Sequence, residues 1–214
     1  MFSVHSFTFS PIEENTYLLY NEKAQCIIID PGCYFLEEKE VLKEFVRMKG
    51  LIPVLLLNTH CHLDHVFGNK LAADTWNLPL HIHPDERKML DLAPASGLIY
   101  NLPFDNYTGE FIYLEDGKKI NLDGDELEII LAPGHAPGHC CFYSAQQGFI
   151  ISGDVLFYRS IGRTDLPYGN HEQLLKSIRE RIFVLPDNTI VYPGHGSATQ
   201  VGDEKKFNPF LNGL

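Results

Sequence analysis

Apolar and polar positions fall into two kinds of pattern along this chain. Early on, Thr16–Tyr20 and Gln25–Asp30 are short apolar or β-branched runs of strand length, the second closing on Asp-Pro-Gly, a turn signal. Leu36–Lys49 then carries Leu36, Val41, Leu42, Phe45, Val46 and Met48 near helical spacing, with Gly50 as its stop. Pro53–Leu57, PVLLL, is a continuous apolar run that suits a strand buried on both faces. Gly68–Trp76 reads as a helix, Leu80–His83 as a strand and Asp85–Leu92 as a helix. The segment from Pro94 to Asn106, PASGLIYNLPFDN, breaks the period and reads either as a lid or pocket wall or as a plain covering loop. From Ile120 onward short strands take over: Ile120–Leu122, Leu127–Leu131, Cys140–Ser144 and Phe149–Ile151, with NLDGD and AQQG at turns between them. A helix over Asn170–Ile182 shows Leu174, Leu175, Ile178 and Ile182 on one face, and Thr189–Tyr192 is a last strand. Two mixed sheets packed between helices satisfy this order, and with no linker or repeat the chain reads as one domain over residues 1–214.

Composition narrows the partners. Hydrophobic residues make up 44% of the 214 positions, enough for a sizeable core. A formal net charge of −11 argues against nucleic acid or an anionic membrane surface as a general partner. It leaves room for a small anionic substrate held by one local arginine. No apolar run is long enough to span a bilayer, and the opening MFSVHSFTFSPIEENTY lacks a signal-peptide pattern. Cys26, Cys33, Cys61, Cys140 and Cys141 are odd in number and form no CxxC, so neither a disulfide framework nor a zinc ribbon is indicated and a cytoplasmic location is expected.

Candidate chemistry concentrates in NTHCHLDH, residues 58–65, which directly follows the PVLLL run. Sites of α/β sheets tend to sit at such strand ends. In an extended loop His60 and His62 share a face. Asp64 and His65 cannot both join them on one small ion without strain, and look placed for a second. Further donors follow later strands: PGHAPGH brings His135 and His139, ISGD brings Asp154, and YPGHG brings His195. Two ions sharing one carboxylate would lie about 3.5–4 Å apart, the spacing of two-metal hydrolytic centres. Other conspicuous residues read blandly. His139 suits a hydrogen bond within its turn, His81 and His83 a structural role, His5 and His171 the surface, and Cys61 a position facing away from its neighbours. Asp30 either accepts a hydrogen bond from a ligand histidine or caps its own turn.

THCHLDH, PGHAPGH, SGDVLF and YPGHG, in this order, resemble the motif series of the metallo-β-lactamase-fold hydrolases. The resemblance covers essentially the whole chain. It implies a four-layer αββα sandwich with two divalent metal ions, zinc first among them and iron or manganese as substitutes. His60, His62 and His135 would hold the first ion, and Asp64, His65 and His195 the second, with Asp154 bridging. Many true β-lactamases carry cysteine or histidine at the bridging position and are exported, so that activity is not expected. Nucleic-acid-cleaving members carry a large inserted domain for which this chain has no room.

The stretch GDVLFYRSIGRTDLPYGN, from Gly153 to Asn170, resembles the short members of the glyoxalase II group, which cleave S-2-hydroxyacylglutathione thioesters. Arg163 stands in the region where the long enzymes place a basic glutathione contact and reads either as a holder of a substrate carboxylate or as half of a structural ion pair with Asp165 or another acid, with Arg159 and Tyr158 as further substrate-binding candidates. Two features depart from those enzymes: Ser197 stands where they carry tyrosine, and their C-terminal helical domain is missing. Two ions lower the pKa of a water held between them towards neutrality. Asp64 would orient the resulting hydroxide, and the first ion would take the charge developing on the substrate carbonyl. Thiols ionise near pH 8.5, so a thiolate leaves without a dedicated general acid, whereas an amide nitrogen would need one. A small-molecule thioester, or an activated ester, is therefore expected rather than a peptide bond, the thioester first. The alternative is a mononuclear-iron persulfide dioxygenase of the same fold, with a similar GRTD stretch and with His60, His135 and Asp154 as its ligands. A non-catalytic binding module is disfavoured because no ligand is missing.

Overall fold

The computed structural model describes residues 1–211. The chain divides into two compact units, Met1–Leu114 and Glu115–Leu214.

The first unit is a six-stranded mixed sheet with helical crossovers. Its strands β1 (Ser3–Phe9), β2 (Glu14–Tyr20), β3 (Gln25–Ile29), β4 (Ile52–Leu57), β5 (Leu80–Ile82) and β6 (Phe111–Tyr113) lie side by side in that order. The first three are antiparallel, and β4 to β6 run parallel to β3. Parallel neighbours need crossovers, supplied by α1 (Leu36–Met48), by α2 (Leu63–Val66) with α3 (Asn69–Trp76), and by α4 (Arg87–Ile99). Ile27, Ile28, Ile29, Leu56 and Leu57 are fully buried, as expected for central parallel strands with few polar positions. The edge strands β1 and β6 escaped the sequence reading. β1 mixes polar and apolar residues and forms by pairing along its whole length with β2. β6 is three residues long and only partly covered.

Helix α4 runs on to Ile99, through the segment expected to be irregular. Pro94 sits inside it and lacks the N–H that would bond the carbonyl of Leu90. The Asn106 side-chain amide takes that place, donating to the Leu90 oxygen at 2.7 Å. The remainder of the segment behaves as a pocket wall: Pro103, Phe104 and Asp105 line a cavity of about 480 Å³ that Tyr34, Phe67 and Lys39 complete.

The second unit holds β7 (Lys119–Leu122), β8 (Asp125–Leu131), β9 (Cys140–Ser144), β10 (Phe149–Gly153), β13 (Ile190–Pro193) and β14 (Thr199–Gln200), ordered β14-β13-β10-β9-β8-β7. Only the β10–β13 pair is parallel, making this sheet mixed as well. A small hairpin, β11 (Leu156–Phe157) with β12 (Ser160–Ile161), projects after β10. Helix α5 (His171–Ser177) passes into one π turn at Ile178–Ile182, so the expected helical face is kept while its hydrogen-bond pattern loosens. Leu174, Ile178 and Ile182 pack with Ile130, Ile150 and Val191 in the core of this unit. Helix α6 (Val201–Phe207) is the last helix among the described residues. Among the described residues, no helix is long and apolar enough to cross a membrane.

Candidate metal centre

In the first unit the loop from β4 to α2 gathers the expected ligands. His60 and His65 are fully buried, and His62 and Asp64 nearly so. The His60 ring centroid lies 4.7 Å from that of His62 and 4.1 Å from that of His65. Asp64 Oδ2 lies 3.6 Å from His65 Nε2.

Asp30 organises this loop from the end of β3. Its backbone has φ +50°, a left-handed conformation that aspartate tolerates better than most side chains. Its carboxylate accepts from Thr59 N–H at 2.7 Å, from the Thr59 hydroxyl at 2.6 Å and from the Asn58 amide at 3.2 Å. His65 Nδ1 donates to it at 3.1 Å. Of the two roles left open for Asp30, the structure shows the hydrogen bond to a candidate ligand histidine, His65.

These contacts set the tautomers. A carboxylate can only accept, so His65 carries its proton on Nδ1 and presents the Nε2 lone pair. The Thr59 hydroxyl spends its proton on Asp30, and its oxygen therefore accepts from His60 Nδ1 at 3.0 Å. His60 likewise presents Nε2.

The second unit repeats this logic with separate pieces. His135 Nδ1 donates to the Arg163 carbonyl at 2.7 Å, which leaves Nε2 to face Asp154 Oδ2 at 3.4 Å. His195 Nε2 lies 3.7 Å from the same Asp154 oxygen. Asp154 therefore stands between two imidazoles, as a shared carboxylate should. The close approach depends on Gly162: a Cβ there would collide with the Asp154 carbonyl and come within 3.0 Å of His135 Nδ1. His139 does not face the ligands with its Nε2, which accepts from the Asp154 backbone N–H at 3.0 Å.

Around these donors, Glu14, Asp30, Asp64, Glu86 and Asp154 are all buried acids, and no lysine or arginine among the described residues is buried. Burying carboxyl groups is costly unless a positive charge or a proton compensates. At Glu14 burial pushes the carboxyl well above its ordinary range, despite the nearby His65. Imidazoles that direct Nε2 towards one another and carboxylates beside them form a donor set suited to divalent cations. The residues present fit such ions.

The three substrate-binding candidates sit differently. Arg163 is exposed and paired in bidentate fashion with Asp165, both contacts at 2.7 Å. Its guanidinium holds the Asp165 carboxyl down to about 2. Arg159 is anchored: its Nη1 donates to the fully buried Glu204 at 2.8 Å, and its guanidinium lies over Phe207. Tyr158 is exposed beside it. Sequence reasoning missed Glu14, Glu86 and Glu204, because an acid's burial depends on partners distant in sequence.

The model of the metallo-beta-lactamase superfamily matches residues 10–195. The chain belongs to that superfamily. The probable metallo-hydrolase YqgX of Bacillus subtilis is 38% identical to it, covering 95% of each chain. Hydroxyacylglutathione hydrolase GloC of Haemophilus influenzae is 35% identical over 94% of this chain and 93% of its own. Among solved structures, BLEG-1 B3 metallo-β-lactamase superposes with a TM-score of 0.91 at 36% identity, covering 99% of this chain and all of its own. TTHA1623, solved in a di-iron-bound form, gives 0.87 at 35% identity, with 97% and 100% covered. The superfamily fold, two mixed sheets flanked by helices, is thus the fold of this chain, and the enzyme class is metallo-hydrolase.

Proposed function

We propose that this superfamily member is a dinuclear metal-dependent thioester hydrolase acting on S-2-hydroxyacylglutathione-like substrates. In this reading His60, His62 and His135 hold one divalent ion, Asp64, His65 and His195 hold the other, and Asp154 serves both. The observation that carries it is the placing of Asp154 Oδ2 between His135 and His195, with His60, His65 and His135 all fixed to present Nε2. The likeness to GloC, 35% identical, supports this substrate class.

When bound, the ions supply a hydroxide near neutral pH and a positive field for the developing oxyanion. The chain's own part is to hold the donors rigid. Asp30 fixes His65 directly and His60 through Thr59. Asp64 accepts a hydrogen bond from the nucleophile and so orients it. A thiolate leaves unaided. Arg163 receives a substrate carboxylate by exchanging it for Asp165. The chain works in the cytoplasm and needs neither nucleic acid nor membrane.

A second reading has its own support: a 36% identical chain of this fold carries the name of a B3 β-lactamase. One experiment separates the two. Protein purified without added metal is assayed for metal per chain and for hydrolysis of S-lactoylglutathione and of a β-lactam. About two ions with rapid thioester cleavage support the proposal. Lactam cleavage without thioester cleavage favours the second reading. About one iron with neither activity points instead to persulfide oxidation.

A further inference from the structure

We infer that Glu86 is a positioning residue for the metal loop, acting through the backbone N–H that lies between its first two histidines. The inference rests on the reading of His60 and His62 as ligands. Glu86 closes a 3-10 turn, Pro84–Glu86, placed between β5 and α4. That turn is itself held. His83 caps it, with its Nδ1 accepting from Asp85 N–H at 3.3 Å and its carbonyl accepting from Glu86 N–H at 3.0 Å. From this base the Glu86 side chain, fully buried, reaches the metal loop and accepts from Cys61 N–H at 2.8 Å through Oε2.

The geometry gives that bond a task. Cys61 separates His60 from His62, and the alternation that puts both imidazoles on one side requires an extended backbone at this point. An extended N–H with no strand beside it has no ladder partner, and burial forbids water. Glu86 is that partner. Asp30 holds the same loop two residues earlier, through Thr59 N–H, so two buried carboxyl groups hold the backbone N–H groups of the residues before and after His60. Asp30 accounts for the orientation of His60 and His65. Glu86 holds the peptide that joins His60 to Cys61, the residue before His62.

An acceptor role and a charge role predict opposite results in two substitutions. Glu86→Gln keeps an oxygen at the same reach and loses the charge. Glu86→Asp keeps the charge and draws the oxygen back by one methylene. Each variant, with Glu86→Ala, is stripped of metal, checked for folding by circular dichroism, and titrated with cobalt(II) alone, reading affinity and the ligand-field spectrum. The inference expects Gln to bind within about threefold of the parent, and Asp and Ala to bind about 10–100-fold more weakly with an altered spectrum. If Ala fails to fold, the Gln and Asp variants still decide. Asp matching the parent while Gln weakens would overturn the inference, as would all variants binding alike. A parent that takes up no cobalt removes the proposed centre and this inference together, whereas a parent that binds with indifferent variants removes the inference alone.

Discussion

The two units reach the same chemistry by opposite routes. In the first, four candidate ligands come from six consecutive positions, His60 to His65. Their geometry is set from beneath by buried acids on other elements, Asp30 after β3 and Glu86 before α4. In the second, His135, Asp154 and His195 each follow a different strand, His135 being held by the Arg163 carbonyl and Asp154 by His139. A clustered set shares its supports, so one lost support should disturb several ligands. A dispersed set fails one ligand at a time.

The largest expected effect is on the residue that both proposed ions would share. Asp154→Asn should lower kcat/KM by about a thousandfold, because several kcal/mol of charge stabilisation depend on the centre. Metal analysis should show about one ion lost per chain. An unchanged metal content would break the dinuclear reading. Next comes Asp30→Ala. Its carboxylate holds Thr59, Asn58 and His65, so metal affinity should fall about 10–100-fold. The freed buried donors should also destabilise the fold by about 1–3 kcal/mol, read from chemical denaturation of the metal-free protein. Loss confined to one ion would show that the clustered set does not share its support. Gly162→Ala is the matching test in the second unit. The new Cβ meets the Asp154 carbonyl and His135 Nδ1, and overpacking of this kind costs about 1–3 kcal/mol. Cobalt spectra should change for the ligands of that unit while Asp30 and its partners keep their stabilising role.

The same contrast explains how much was legible in the sequence. Period and turn signals mark β2 to β5, α1 and α3 because these elements bury continuous apolar faces. The candidate ligands were legible because histidine and aspartate beside glycine at strand ends are rare without a task. What escaped depends on distant partners. β1 is defined by its neighbour, not by its own alternation. Helix α4 survives Pro94 because Asn106, twelve residues further on, satisfies the carbonyl that the proline leaves. Glu86 is one of several acids around that helix start, and only the fold shows that it is buried against Cys61. Arg159 and Arg163 look alike in sequence, yet one is tied to buried Glu204 and the other to exposed Asp165.

That last difference supplies the smallest predicted effect. Asp165 has its carboxyl depressed to about 2 by hydrogen bonds from Arg163. A group whose folded pKa is lowered contributes above its unfolded value and loses that contribution only as pH falls through the folded one. The Arg163–Asp165 pair is therefore intact across the range where a thioesterase is assayed, about pH 5–9, and leaves no inflection there. Both side chains are exposed, at 56% and 69%, so the pair adds little to stability. Its effect should appear in binding. If Arg163 must release Asp165 to take a substrate carboxylate, Asp165→Asn removes the competitor and should lower KM by about two- to fivefold with kcat unchanged. Arg163→Ala should raise KM for an anionic thioester and leave that for a neutral one alone. Both variants keeping the parent's KM for the anionic substrate would strip Arg163 of its substrate role and leave the bidentate pair as a tie within its own loop.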